Sequence, residues 1–366
     1  MRLFLIASLF LIAACVDRSI VPVAPESLKA SEVEEVLTAT LREPAENGWF
    51  SDARAGELHF VDLDVAIPPE RKKGQIRLQL SRKINPETHF TMSGRKDLPN
   101  QQAFTEAIRS RLRGLPRDQQ DVMIYVHGYN NSFADGVFRT AQMKADFQVP
   151  GVALHYSWAS AANPLGYTYD RDSVLYSRDG LEQMLMAVTR AKPRRIVLVG
   201  HSLGTMLVME TLRQMEIRHP GWAKRHLGGV VLISPDLDVE LFRMQAERIA
   251  KLPQPFVIFT SSRDRALQLS ARINGSQARL GGLQDPGALA TLPLTIIDVS
   301  EFASGIGPDH FTVGTSPLLI QLLGNGADLQ AAFDTDRAGR SGLLPGTVIT
   351  AQQATQVILS PLLLGN

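Results

Sequence analysis

A serine stands between two glycines in Gly200-His201-Ser202-Leu203-Gly204, where the apolar run IVLVG gives way to the helix-like stretch LGTMLVMETL. Serine is poor packing material there, but it suits a nucleophile held on a tight strand-to-helix turn. Gly200 and Gly204 fit that reading, because a Cβ at either flank would crowd the neighbouring strand or helix. The N–H groups that open the following helix would favour negative charge on a substrate oxygen. The chemistry this predicts is acyl transfer, which needs a base and an acid that orients the base.

The chain order Ser, acid, His puts the acid after a later strand and the histidine beyond the last strong one. FVIFTSSRD ends in Asp264, and GIGPDHFTVGTS carries His310, the one histidine after His226. His310 would take the Ser202 proton, and Asp264 would fix its tautomer. Other readings stay open at this point. Asp264, between Arg263 and Arg265, could be a solvated helix cap, and His310 a surface histidine. Asp236 and Asp238, after the strand ending VVLIS, are rival acids, whereas Asp309 reads as a loop residue.

A second stretch, DVMIYVHGYNNSFADG, again joins a strand to a helix. A loop at this place supplies one oxyanion N–H, and the residue after the nucleophile supplies the other. The expected donors are therefore the backbone amides of Tyr129 and Leu203. Gly128 would let the loop approach the substrate, and His127 reads as structural, buried behind the hole. Asn130 and Asn131 would pin the loop or favour its turn. Trp158, Tyr167 and Tyr169 would border the cleft, or pack between helix and loop.

These residues need a scaffold. From Phe104 onward, short apolar runs alternate with helical spacing. Strands are predicted at Asp121 to Val126, Val152 to Trp158, Arg195 to Val199, Val230 to Ile233, Phe256 to Thr260 and Leu294 to Val299. Helices are predicted at Phe104 to Arg113, Phe133 to Phe147, Asp172 to Ala191, Leu203 to Arg218, Val239 to Lys251, Ala266 to Ile273 and Thr315 to Leu323. That alternation predicts an α/β fold with a mostly parallel central sheet and helices on both faces. Earlier in the chain, Glu32 to Arg42 reads as a short helix, and Glu57 to Ile67 and Gln75 to Lys83 as strands. Gly275 to Pro293 reads as a long loop or flap. The connection from Ser234 to Phe256 has room for one helix, so no large cap domain is expected.

The N-terminus is a different object. MRLFLIASLFLIAAC has one arginine and an apolar run from Leu3 to Ala14, too short for an ordinary membrane-spanning helix. It reads as an export signal. Small residues directly before Cys15 resemble the lipobox of bacterial lipoproteins, which implies cleavage before Cys15 and its lipidation. A plain signal peptide that happens to contain a cysteine is the alternative. Cys15 is the only cysteine of the chain, so it has no internal disulfide partner.

From about Asp121 to Phe311 the chain resembles the α/β-hydrolase fold, and most closely a bacterial family of hydrolase-like proteins of unassigned function. The resembling segments are VHGYNNSFADGVFRTAQMKADF, HYSWASAANPLGYTYDRDSVLYSRDGLEQML, VGHSLGTMLVMETL and ISPDLDVELF. The resemblance implies the triad Ser202, Asp264 and His310, and no substrate. The organisation expected is a signal peptide at 1–14, a lipidated tether at 15–31 and an N-terminal extension at 32–115. A catalytic core at 116–325 and a C-terminal tail at 326–366 follow.

With 366 residues, 44% of them hydrophobic, the chain can build one large core. A net charge of +1 and no long basic run argue against a nucleic-acid partner. There is no phosphate-loop, dinucleotide or H-E-x-x-H motif. The histidines are scattered, so neither cofactor nor metal is expected. The reading is a serine hydrolase of a carboxylic ester or a related acyl bond, with acyl transfer and thioester cleavage open to the same serine, acting on a small or lipid-like acyl substrate and anchored in the bacterial cell envelope through Cys15. The other class it could belong to is a non-catalytic envelope lipoprotein that keeps the fold as a binding module.

Overall fold

The computed structural model describes residues 21–29, 32–77, 84–273, 275, 279–303, 310–324, 348–351 and 354–359. The signal and Cys15 lie outside these residues, as do most of the tether and most of the tail.

Strand β4 (Asp121–Val126) illustrates why the sheet is covered twice. Val122, Ile124 and Val126 enter one core, and Met123 and Tyr125 enter another on the opposite face. Side chains of a strand alternate between faces, so an unbroken apolar run needs packing on both. The chain also holds β1 (Glu32–Pro44), β2 (Phe50–Ile67), β3 (Thr91–Leu98), β5 (Val152–Ser157), β6 (Arg195–His201), β7 (Leu227–Ile233), β8 (Phe256–Thr260) and β9 (Leu294–Asp298). Two short strands follow, β10 (Val348–Ala351) and β11 (Ala354–Ile358). Their order is β10-β11-β9-β8-β7-β6-β4-β5-β1-β2-β3. From β11 to β1 every neighbouring pair is parallel, while β10, β2 and β3 pair antiparallel at the two edges.

One face is covered by α1 (Gln101–Arg113), α4 (Arg178–Ala191), α5 (Leu203–Arg218) and α7 (Val239–Arg248), which contribute Phe104, Leu185, Leu207 and Phe242 to its core. The other is covered by α2 (Phe133–Asp146), with Val137 and Phe138, and by α10 (Pro317–Gly324), with Leu319. Between these lie α3 (Tyr167–Tyr176), α6 (Trp222–His226), α8 (Arg265–Ile273) and α9 (Thr312–Thr315). Among the described residues the β7–β8 connection holds α7 as its one helix, and no cap domain stands over the sheet.

Two sequence expectations are corrected, and a third falls mostly outside the described residues. Glu32 to Arg42 is a strand rather than a helix. It lies between β5 and β2, and Val36 through Arg42 are buried without a break. Burial on both faces overrides the helix-forming Glu and Leu residues, and Val33, Val36, Thr38 and Thr40 suit the pleat. The expected strand at Gln75 to Lys83 has no strand in 75–77, and 78–83 lie outside the described residues. The single helix expected over Asp172 to Ala191 is two, α3 and α4, which share Ser177 as the cap between them. Within Gly275 to Pro293 the chain makes two single turns, Leu280–Gly282 and Pro286–Leu289.

Candidate active site

Ser202 sits between β6 and α5 with φ 51° and ψ −125°, a left-handed conformation strained for any residue with a Cβ. The surroundings hold it there. Its N–H donates to the Ile233 carbonyl at 3.0 Å, and its own carbonyl accepts the Thr205 hydroxyl at 2.6 Å and the Asp236 N–H at 3.3 Å. The glycines are needed for clearance. A Cβ on Gly204 would lie 2.2 Å from the His127 carbonyl oxygen, and one on Gly200 would lie 3.1 Å from Thr205 Cα.

His310 reaches Ser202 from the segment ahead of α9. Its Nε2 lies 2.6 Å from Ser202 Oγ, and its Nδ1 lies 2.8 Å from Asp264 Oδ2. A carboxylate only accepts, so Nδ1 carries the proton in the neutral ring and Nε2 is left to accept from the serine hydroxyl. Asp264 is fully buried, and its other oxygen accepts the Leu267 N–H at 3.1 Å. The carboxylate thus caps α8 and faces His310 at once. Asp236 and Asp238 are occupied elsewhere. Asp236 binds the Tyr167 and Ser270 hydroxyls, and Asp238 caps α7.

The base's backbone is braced from below. The ring of Phe311 meets that of His201 edge-on at 4.4 Å, and the Arg139 guanidinium lies over the Phe311 ring, 4.6 Å from its centre. Burial, with a smaller contribution from His310, pushes the His201 pKa well below the usual imidazole range. His201 is therefore neutral, and its Nε2–H donates to the His310 carbonyl at 3.2 Å.

The loop after β4 lies against the nucleophile. A Cβ on Gly128 would stand 2.7 Å from Ser202 Cβ. Neither the Tyr129 nor the Leu203 backbone N–H takes an acceptor among the described residues. His127 is fully buried and stacks on Trp158 with ring centres 4.8 Å apart and planes 12° apart. Burial foremost, and then the Arg42 charge, lower its pKa to about 3, so the ring is neutral and structural. Asn131 Nδ2 donates to the Tyr129 carbonyl at 2.7 Å.

The aromatics expected at the cleft part ways. Trp158 is buried beneath His127, Tyr167 reaches Asp236, and Tyr169 lies under Arg54 beside the N-terminal strands.

Two residues that sequence reasoning left unassigned organise this loop. Arg42, in β1, donates from Nη2 to the Asn131 carbonyl at 2.8 Å, from Nη1 to the Ser160 and Ser51 carbonyls at 3.0 and 3.1 Å, and from Nε to Ser157 Oγ at 2.9 Å. Burial lowers its pKa to about 10, and the nearby Asp170 works against that fall, so it stays charged at neutral pH. Asp170 Oδ2 accepts the Asn130 N–H at 3.1 Å and the Ser160 hydroxyl at 2.6 Å. Arg42 carried no sequence signal because its segment read as a helix. Among the described residues no three His, Cys, Asp or Glu side chains gather as a metal site.

A mostly parallel sheet covered on both faces, with a strained serine on a strand-to-helix turn, defines an α/β hydrolase. Residues 100–326 match the family described as alpha/beta hydrolase of unknown function (DUF900), and the chain belongs to that family. It is similar to a solved YdeN-like hydrolase from Pectobacterium atrosepticum, at 19% identity and a TM-score of 0.27 over 59% of this chain and 98% of that one. It is also similar to the siderophore hydrolase EstB from Aspergillus nidulans, at 13% identity and a TM-score of 0.34 over 86% and 97%. Likenesses this distant carry no argument about substrate. No curated protein sequence matches.

Proposed function

We propose that the chain is a serine hydrolase that cleaves a carboxylic ester through an acyl-enzyme. Ser202 Oγ attacks the acyl carbon as its proton passes to His310 Nε2, and Asp264 holds Nδ1–H and stabilises the imidazolium. The Tyr129 and Leu203 N–H groups receive the oxyanion. Collapse breaks the ester bond, and the departing alkoxide takes the proton from His310. Water then repeats the sequence on the acyl-enzyme and releases the acid. The observation that carries this reading is the unbroken line from Ser202 Oγ through His310 to Asp264, at 2.6 and 2.8 Å. Export and acylation of Cys15 would place the site in the cell envelope, within reach of small or lipid-like acyl substrates.

The test is rapid mixing with p-nitrophenyl butyrate. The proposal expects a burst of nitrophenol matched by one butyryl group on Ser202 in the intact mass. Slow release without a covalent acyl-enzyme would overturn it.

A further inference from the structure

The two ends of the sheet differ in charge. Around the starts of β4, β6 and β7, at the end away from Ser202, the stretches 113–121, 190–195 and 224–226 carry eight Lys and Arg side chains against two carboxylates, Asp118 and Asp121. The whole chain has a net charge of only +1. The three stretches adjoin. Arg194 N–H donates to the Gln120 carbonyl at 2.7 Å, Arg194 and Arg195 both reach Asp121, and a Cβ on Gly228 would stand 2.7 Å from Arg195 Cβ. Arg117, Lys192, Arg194, Arg195, Lys224 and Arg225 are all exposed. Helix dipoles account for Lys224 and Arg225 in the last turn of α6, but Arg117, Arg194 and Arg195 lie past the ends of α1 and α4. At the catalytic end, by contrast, the loops 127–132 and 158–166 carry no Lys, Arg, Asp or Glu. Arg195 opens β6 and Ser202 follows its last residue, so roughly 20 Å of strand separates the base from the nucleophile.

The N-terminal segment joins the fold at that same end. Val23 pairs with Met92 of β3 in parallel, with the Met92 N–H on the Pro22 carbonyl at 2.7 Å and the Ala24 N–H on the Met92 carbonyl at 3.0 Å. β3 runs parallel to β1 and β5, toward the catalytic end. Met92 faces Val65, and Val65 faces Glu34 near the start of β1. Residues 21–24 therefore climb away from the base, and the preceding residues are joined to them there. Cys15 is six residues before Val21, at most about 20 Å of chain, no more than the height of the sheet. An anchor on Cys15 thus holds the base next to the bilayer, with the catalytic end on the far side.

We propose that the basic end of the sheet is a docking surface for an anionic lipid bilayer, and that it holds the Ser202 site facing away from the membrane. Each Lys or Arg brought within a Debye length of an anionic bilayer strengthens partition by about fivefold. The phosphates of a nucleic acid offer the same charge, but the segment that leads to Cys15 joins at this end, and that favours the bilayer. On the serine-hydrolase reading, the site then draws its esters from the aqueous side and not from the bilayer beneath it.

The experiment uses the unacylated chain from Cys15 onward, which keeps every described residue, with Cys15→Ser to leave no thiol. It should sediment with phosphatidylcholine vesicles that contain phosphatidylglycerol, not with phosphatidylcholine alone, and high salt should release it. The variant Arg117→Gln/Lys192→Gln/Lys224→Gln/Arg225→Gln spares the two arginines that pair with Asp121. It should bind on the order of a hundredfold more weakly, with its melting temperature and its turnover of p-nitrophenyl butyrate unchanged. Orientation is read with a fluorophore on Gln119→Cys at the base or on Leu165→Cys at the catalytic end, both exposed positions, against a quencher carried by the lipid. Quenching should be confined to position 119. No binding to the anionic vesicles, quenching at position 165, or tighter binding to duplex DNA than to the vesicles overturns the inference. Neither sedimentation nor quenching needs turnover. A chain that docks by its base but forms no acyl-enzyme keeps the docking surface and loses the hydrolase reading, and one that acylates without docking does the reverse.

Discussion

Replacing Arg42 by methionine tests whether the N-terminal strand is part of the active site. Methionine fills much of the volume but leaves three carbonyl oxygens and the Ser157 hydroxyl without their donor, and Asp170 without a nearby positive charge. Removing one partner from a buried, charged hydrogen-bonding network costs about 3–5 kcal/mol. A domain of ordinary stability has about 5–15 kcal/mol in all. We expect Arg42→Met to lose roughly 3–5 kcal/mol in urea titrations, and Arg42→Lys, which keeps the charge but reaches fewer acceptors, about 1–3 kcal/mol. The Asn131 carbonyl belongs to the loop that carries Tyr129, so the surviving folded fraction should also turn over more slowly. A loosened oxyanion donor should lower kcat by about tenfold or more, with KM changed less. Arg54→Met is the control, because Arg54 also ties the N-terminal strands down, through Ser173 and Tyr169, without touching that loop. Stability within about 0.5 kcal/mol of wild type, a range typical of surface changes, with unaltered kcat, would refute the reasoning.

Four further outcomes follow from the same structure. Gly128→Ala puts a methyl group 2.7 Å from Ser202 Cβ and 2.9 Å from His201 Nδ1, so ester turnover should drop by about a hundredfold or more while the circular dichroism spectrum is kept. Burial holds the pKa of His127, His155 and His201 below the ordinary imidazole value, so the unfolded chain takes up protons that the folded one refuses. Their stabilisation is full above about pH 6.5 and is lost as pH falls toward the folded values, by up to about 1.4 kcal/mol per pH unit for each group. A urea midpoint that stays flat from pH 7 to about pH 5 would contradict this. The fragment 100–326, cut at the bounds of the family match, loses β1 to β3, exposes the edge of β5 and removes Arg42. It should aggregate or bind hydrophobic dyes, and a monodisperse, cooperatively melting fragment would show the extension to be dispensable. Cys15→Ser should abolish incorporation of labelled fatty acid, whereas wild type should be labelled and should sediment with membranes; an unlabelled wild type would contradict the lipobox reading.

What could be read from sequence follows from local physics. The strands from β4 to β9 were legible because each is a short apolar run bounded by turn residues, and a doubly covered sheet leaves that mark. The serine turn was legible because its glycines are fixed by the clearances at Gly200 and Gly204. β1 was misread because its burial comes from strands far away in the chain, not from its own periodicity. β3 was missed because TMSGRKDL carries charge and a glycine, as an edge strand tolerates. Ser202, Asp264 and His310 could be placed by order along the chain. Arg42 and Asp170 could not, since a buried charge is recognised by its partners, and those lie on other elements.

The most direct measurement of the central claim is labelling with a fluorophosphonate probe, read by intact mass on wild type, Ser202→Ala and His310→Ala. An activated serine predicts one adduct on wild type, none on Ser202→Ala and a much slower one on His310→Ala. A well-folded wild type that takes no adduct, or a Ser202→Ala variant labelled as fast as wild type, would contradict it.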